Sequence, residues 1–295
     1  MSEPHVVDKR AVRRSFGRAA ATYDAAAALQ REVCDRMLER LDYVKLAPAR
    51  VLDAGSGTGY AEAKLRERYP RAVQVALDLS VEMLATARAR TPWWKRRLPF
   101  RGAAPAAYVS GDIEALPLAS GATGLAFSNL ALQWAQDLPG AFAELLRVLA
   151  PGGLVMFSTF GPDTLKELRA AYAAVDGYTH VNRFVDMHDI GDMLVHAGFA
   201  DPVIDMEQIT MTYADAMTLM RDLKAIGAHN VTEGRPRALA GRRALAAVAE
   251  HYEQHRRDGR LPATYEVVYG HAWKPLQPKR LADGRQVVQL HFPSR

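Results

Sequence analysis

The sequence predicts an α/β fold: a parallel sheet with helices on both faces, an N-terminal helical segment and a helical cover near the last strands. Three observations predict it. Apolar strand-like runs alternate with helical stretches from Val51 to Phe160. A glycine-rich turn, "DAGSGTG", follows the first of these runs without a spacer. After Phe160 the alternation gives way to helical stretches set among two further strands.

Taken in order, residues 8–45 read as helical, with Leu29, Val33, Met37 and Leu41 on one stripe, and Pro48 closes that section. The first strand begins at Val51–Leu52, and "AEAKLRERYP" is a helix closed by Pro70. "AVQVALDLS" is the second strand and "VEMLATARAR" the helix after it. Residues 92–107 form a loop rich in Pro, Trp and Arg before the short third strand, "AAYVSGD". "GLAFSNLAL" is the fourth strand, "LPGAFAELLRVLAPGG" a helix with a Pro-Gly-Gly stop, and "LVMFSTF" the fifth strand. Two helices follow, "PDTLKELRAAYAAVD" and "MHDIGDMLVHAGF", then a sixth strand, "PVIDMEQITMTY". Helices near residues 214–226 and 238–257 precede a last strand in "ATYEVVYGHAW". This late helical material is too long for a simple connection, so it reads as a cover over the strand ends. The division expected is an N-terminal segment over 1–45, a main domain over 46–273 with covers near 161–200 and 212–260, and a basic tail over 274–295.

Composition excludes several classes. Of 295 residues, 49% are hydrophobic and 24% charged, ordinary values for a soluble globular protein. No run of apolar residues is long enough to span a bilayer, so no membrane association is expected. The N-terminus lacks an apolar core with a cleavage site. Cys34 is the only cysteine, which excludes an internal disulfide and a cysteine-rich zinc site and fits a reducing cytoplasm. No metal is expected, because no ligand cluster is evident. A net charge of +5 reads either as arginines that simply solvate helices or as a surface for an acidic partner, nucleic acid or protein. The cations cluster: "WWKRRLPFR" carries four, and Lys274 to Arg295 carries five against Asp283.

The glycine turn carries the chemistry. Gly55, Gly57 and Gly59 permit positive φ and remove the Cβ atoms that would block a ligand. The spacing is not the G-x-G-x-x-G of a dinucleotide fold, and Asp53 at its start would repel a pyrophosphate while welcoming a cation. Asp78 ends the second strand, where a carboxylate can accept ribose hydroxyls. Asp112 ends the third, where it can accept an exocyclic amine while Ile113 packs on a purine face. Three acids at three successive strand ends form the constellation of an S-adenosylmethionine (SAM) site, although Asp78 and Asp112 taken singly also read as helix caps. Ser56, Leu79 and Asn129 complete the expected lining, Asn129 through its backbone.

Those motifs carry a family resemblance. "RRSFGRAAATYDAAAALQ", "VLDAGSGTG", "GDIEALPLA", "SNLALQW" and "HVNRF" together resemble the malonyl-acyl-carrier-protein O-methyltransferases of biotin synthesis, within the class I SAM-dependent methyltransferases. The resemblance covers residues 8–273. It implies a Rossmann-like sheet of seven strands with the last antiparallel, SAM as methyl donor with S-adenosylhomocysteine as product, and acyl carrier protein bearing a malonyl thioester as partner. Residues 92–107 and the tail after Trp273 look like additions.

A malonyl carboxylate is already ionised at neutral pH, so no general base is needed. Orientation and desolvation then carry the reaction, and the anion needs a guanidinium or phenol donor. Arg183, past the fifth strand, is the first choice for that donor, with a plain surface arginine as the alternative. Tyr23 is the second, because the resemblance implies an N-terminal helix folded over the cofactor; a packed aromatic is its alternative. Trp134 reads either as a wall against water or as core, beside Ser128 and Gln133 at the end of the fourth strand. His188 reads better as a cap or an exposed residue than as part of the site. The strand-four end lacks the Asn/Asp-Pro-Pro-aromatic tetrad of amide and adenine methylases, and Cys34 is misplaced for pyrimidine methylation. "FGPDTLKELR" and "LPATYEVVYGHAW" also resemble an arginine-hydroxylating assembly factor of respiratory complex I. A small-molecule methylase for quinone or polyketide precursors is a further alternative. Nucleic acid is not the expected partner, since no stacking module is evident.

Overall fold

Residues 7–90, 106–228 and 241–276 are described by the computed structural model. The basic tail from residue 277 and the stretch 91–105, with its "WWKRRLPFR" cluster, lie outside these residues. Five strands pair in parallel: β1 (Arg50–Ala54), β2 (Val73–Asp78), β3 (Ala106–Ser110), β4 (Thr123–Asn129) and β5 (Leu149–Phe160). Two more complete the sheet, β6 (Ala200–Tyr213) and β7 (Leu261–Trp273), with β7 antiparallel to both β5 and β6. The strand order is β3-β2-β1-β4-β5-β7-β6. Connections leave β1 and β4 in opposite directions, and a crevice opens at their carboxyl ends.

Side-chain alternation along the strands builds two cores. Val51, Leu125, Phe127, Leu154 and Met156 face one side, and Leu52, Ala126, Val155 and Phe157 face the other. The first side is covered by α3 (Ala28–Arg40) and α4 (Tyr60–Arg68). Leu29, Val33, Met37 and Leu41 are all buried there, as their spacing predicts. The second side is covered by α6 (Leu138–Val148) and α8 (Met187–Ala197), through Phe142, Leu145, Ile190 and Leu194. β2 is followed by α5 (Val81–Arg90), which packs on β2 and β3. Edge strand β6 presents Asp205 and Glu207, which pair with Arg40 and Arg36 of α3. Charges on an edge strand discourage pairing with another chain.

The N-terminal segment is broken where the sequence reads as continuous helix. It forms α1 (Lys9–Ala19), α2 (Tyr23–Ala26) and α3. Asp8 caps α1 by accepting from the Ala11 N–H at 3.0 Å. Ser15 donates to the Gly227 carbonyl at 2.9 Å and Thr22 to the Ala225 carbonyl at 3.1 Å. Those two bonds tie the bend between α1 and α2 to the end of α9 (Ala216–Ala225). Tertiary bonding thus overrides an alanine-rich helical stretch.

Two other boundaries differ from the expected ones. "LAPGG" does not finish a helix: α6 stops at Val148 and Leu149 opens β5, paired with Thr123. Pro151 brings no N–H donor and Gly152 takes φ +75°, and the register shifts between Thr123 and Leu125 as the strand absorbs them. The helix expected from Pro162 begins only at Lys166, as α7 (Lys166–Ala173). Before it, Leu165 sits at φ +55° and donates its N–H to the Thr264 carbonyl at 2.6 Å, so β7 claims that turn. The late helices α9 and α10 (Arg242–Glu253) lie with α7 over the β4–β5 side.

Candidate active site

The turn from β1 to α4 is shaped by three left-handed glycines, at φ +84°, +53° and +83° for Gly55, Gly57 and Gly59. Non-glycine residues pay for that conformation. The N–H groups of Gly55 and Ser56 both donate to the Leu77 carbonyl, at 2.7 and 2.9 Å, and lock the turn onto β2. A Cβ on Gly55 would collide with Ala131, and one on Gly59 would sit 2.9 Å from Ala87. One on Gly57 would meet nothing within 4 Å. Gly55 and Gly59 are therefore packing positions, while Gly57 borders open space. Gly59 serves as the cap residue of α4; Gly55 and Gly57 line the cleft at the strand ends and Gly59 does not.

Two adjoining clefts of about 720 Å³ each, counted to their open mouths, lie at the strand ends. The first takes Gly55, Gly57, Asp78, Leu79, Asp112 and Ile113 from the sheet side. From above it is closed by Lys9, Val12 and Phe16 of α1. Asp78 accepts the Gly57 N–H at 2.9 Å and the Ser80 N–H at 2.8 Å, one on each oxygen. Burial pushes its pKa upward against those bonds. Each oxygen keeps a lone pair for a further donor. Asp112 is engaged differently from the expectation: Lys9 Nζ lies 2.5 Å from its Oδ2 and 2.6 Å from Glu114. The other Asp112 oxygen accepts the Glu114 N–H at 3.0 Å. This ion pair pins α1 across the first cleft.

A deeper pocket opens beneath the glycine turn, lined by Asp53, Ser56, Gln30 and Asn129. Asp53 Oδ2, Ser56 Oγ and Gln30 Oε1 are buried there without partners. Burial, with the charges of Glu62 and Asp78, raises the Asp53 carboxyl to about 8. Three unsatisfied oxygens around one hollow fit a donor-rich, positively charged group. The Asn129 side chain is spoken for: it donates to the Gln30 carbonyl at 2.9 Å and accepts from Ser158 Oγ at 3.0 Å. One N–H and one lone pair of the side-chain amide stay available beside the backbone.

The second cleft shares Phe16, Tyr23, Leu130 and Trp134 with the first. Its remaining walls include Phe160, Thr164, His180, Asn182, Phe184 and Tyr265. Trp134 meets Phe16 edge-on and forms a partition between the clefts. Burial, with Asp78 and Asp24 nearby, raises the Tyr23 hydroxyl, which keeps its proton as a donor. Arg183 is exposed and lines neither cleft, although Asn182 and Phe184 on either side of it do. His188 is exposed and its ring bonds Asp186, the cap of α8. Ser128 is buried and bonds the Ala54 carbonyl, and Gln133 donates to the Leu130 carbonyl. Sequence reasoning missed Lys9, Phe16, Gln30, His180 and Tyr265. Phe16 and His180 stand inside the quoted motifs "RRSFG" and "HVNRF", where their neighbours drew attention first.

A family model described as a methyltransferase domain matches residues 52–157. A malonyl-[acyl-carrier protein] O-methyltransferase of Gallionella capsiferriformans is 57% identical, covering 97% of this chain and 98% of that protein. Proteins of the same name from Nitrosospira multiformis and Laribacter hongkongensis are 58% and 57% identical. They cover 92% and 99% of this chain, and 91% and 98% of their own lengths. Among solved structures, the YcgJ protein of a Bacillus superposes with a TM-score of 0.58 at 13% identity, over 83% of this chain and 99% of that one. A phosphoethanolamine N-methyltransferase of Haemonchus contortus, solved with S-adenosyl-L-methionine, gives 0.51 at 17% identity, over 87% of this chain and 56% of that one. At such identities the superpositions speak to fold.

Proposed function

The chain belongs to the malonyl-[acyl-carrier protein] O-methyltransferase family, and from that premise we propose that it methylates the free carboxylate of a malonyl group carried on acyl carrier protein. The product is the malonyl methyl ester thioester from which biotin synthesis starts. Its sheet is the Rossmann-like one of class I methyltransferases, and the enzyme is a SAM-dependent carboxyl O-methyltransferase. The observation that carries the reading is the pair of clefts divided by one partition of Phe16, Tyr23, Leu130 and Trp134. The first cleft adjoins the hollow of orphaned oxygens through Gly55, Gly57 and Asn129, and Gln30 at the hollow's edge also lines the second cleft. Identity of 57% across 97% of the chain supports the carboxyl methylase over the arginine hydroxylase and small-molecule methylase readings.

SAM, when bound, supplies an electrophilic methyl on a positively charged sulfur. In this reading Asp53, Ser56 and Gln30 receive the ammonium end of the donor, and Gly57 leaves its backbone room. Asp78 keeps lone pairs for ribose hydroxyls. Ile113 flanks the adenine, and Asp112 accepts its amine in exchange for part of its pairing with Lys9. Leu79 and the Asn129 backbone complete the lining. Tyr23 donates from the partition, and Trp134 with Phe16 keeps water from the shared wall. No group here has to remove a proton, since the nucleophile arrives as an anion. Holding two reactants in line supplies about 7–11 kcal/mol of the barrier reduction.

The carrier fits the outer face of α1. Val12 and Phe16 turn inward, and Arg10, Arg13, Arg14 and Arg18 are exposed on a helix without an acidic residue. An acidic carrier is steered by such a ridge. Arg183, exposed beside the second cleft, extends the cationic rim. In this reading the N-terminal segment, described from Val7 onward, closes over the cofactor. Among the described residues no helix is long and apolar enough to cross a membrane. The buried, unpaired Cys34 suits a cytoplasmic enzyme.

The test is purified protein with SAM and malonyl carrier protein, read by mass spectrometry. A gain of one methylene mass on the carrier supports the reading. No gain, with SAM bound, would sink it.

A further inference from the structure

The second cleft contains a charge problem. Among its described lining residues there is no Lys, Arg, Asp or Glu. A carboxylate brought into such a cleft loses its hydration and needs a charged or strongly donating partner. Among the described lining residues, His180 is the side chain able to carry positive charge.

Its setting is built on both edges of the ring. The His180 Nε2 lies 2.8 and 3.0 Å from the two oxygens of Asp176. The imidazole stacks on the Tyr172 ring of α7, with centroids 3.8 Å apart and planes 11° from parallel. The side chain is only 11% exposed. Stacking fixes the ring plane, and the carboxylate fixes which nitrogen points away from it.

We propose that His180, oriented by Asp176 and Tyr172, binds the free carboxylate of the acyl group through Nδ1. This deepens the methylation reading and rests on it for the identity of the anion. Asp176 requires a proton on Nε2, so Nδ1 can donate only from the imidazolium form. An incoming carboxylate on Nδ1 places an acid at each nitrogen, and an imidazolium has one N–H for each. The Asp176 carboxyl, although partly desolvated, is held below its usual range by the Tyr178 N–H and by His180 itself. Among the described residues, Tyr23 of α2 and Tyr265 of β7 line the cleft, Tyr172 lies behind the imidazole, and Arg183 stands exposed at the rim; burial raises the three tyrosines, so they stay neutral. A guanidinium would grip both carboxylate oxygens. A single imidazolium N–H occupies one and leaves the other free to attack.

The probes are malonate, malonyl carrier protein and acetyl carrier protein, each with protein saturated by S-adenosylhomocysteine for the binding measurements. In His180→Gln, malonate affinity by calorimetry should fall roughly 10- to 100-fold, the range for losing a charged hydrogen bond. The KM for malonyl carrier should rise by a similar factor while kcat changes less. Asp176→Asn should lie between the parent and His180→Gln. Inhibition by acetyl carrier, which has no free carboxylate, should be unchanged in both variants. Malonate affinity within twofold of the parent in His180→Gln overturns the proposal. So does equal weakening toward the acetyl carrier, which would make His180 a mere wall. A parent protein that binds malonate yet never methylates the malonyl carrier would sink the proposed function, while the malonate titration would still decide the role of His180.

Discussion

Phe16 of α1 meets Trp134 edge-on, with ring centres 5.2 Å apart and planes at 83°. This contact joins the N-terminal helix to the end of β4 and closes the wall between the clefts. Its partners in the same small cluster are Val7, Ala11, Val12 and Leu79. Phe16→Ala removes an edge-to-face pair worth about 0.5–1.5 kcal/mol beyond its buried area. The expected result is a several-fold loss in SAM affinity together with a larger loss in kcat/KM. Phe16→Leu should recover much of the affinity. Both are read by calorimetry and steady-state kinetics, and an unchanged kcat/KM in Phe16→Ala would show that the partition is not needed.

The arginines on the outside of α1 predict a carrier-specific defect. Replacing Arg10, Arg13, Arg14 and Arg18 by Glu should raise KM for malonyl carrier at least tenfold at low salt. Added salt should worsen the parent and relieve the variant, because screening weakens attraction in one and repulsion in the other. SAM affinity should stay close to parental, since these side chains point away from Val12 and Phe16. Stopped-flow association across a salt series checks it. Identical salt slopes would move the docking face elsewhere.

Much of the fold is legible in the sequence because parallel strands buried on both faces must be largely apolar, as Val51–Leu52 and Leu125–Phe127 are. The glycine turn is legible for a similar reason: its left-handed φ values leave little choice of residue. The break at Ala20–Thr22 is not legible. Alanine favours helix there, and the bonds to Ala225 and Gly227 that bend the chain come from about 200 residues away. The second cleft was hidden for the same reason. Its walls come from α1, α2, the β4 end, the turn before α7, the "HVN" segment and β7, and no local pattern announces that meeting. Arg183 drew attention as a charge, whereas its neighbour His180 faces the cleft.

Gly270 in β7 faces the Phe157 ring of β5, and a Cβ there would fall within 2.6 and 2.9 Å of two further ring carbons. Phe157 is fully buried between α6 and the sheet, so the ring has little room to withdraw. Gly270→Ala should therefore destabilise the fold by about 1–3 kcal/mol, the usual cost of overpacking a core. Denaturant unfolding measures it. The double variant Gly270→Ala with Phe157→Leu should regain part of the loss, and no regain would point to a backbone origin.

Asp53 sets stability against cofactor affinity. Its folded-state pKa of about 8 stands well above the value near 4 of an unfolded carboxyl. Between those values the folded state binds the extra proton, so stability falls as pH rises from about 4 to about 8 and then levels off. Asp53→Asn removes the titration. Without ligand, the variant should gain thermal stability relative to the parent as pH rises through that window, and the gap should be smallest near pH 4. With ligand the order reverses, because a cationic donor needs the ionised carboxylate. SAM affinity in Asp53→Asn should fall at least tenfold, and the parent should release protons on binding near pH 7, seen as a dependence of the binding enthalpy on buffer. A parent whose unfolding midpoint stays flat from pH 5 to 8, or which binds SAM without proton release, would mean that Asp53 is already ionised in the free protein.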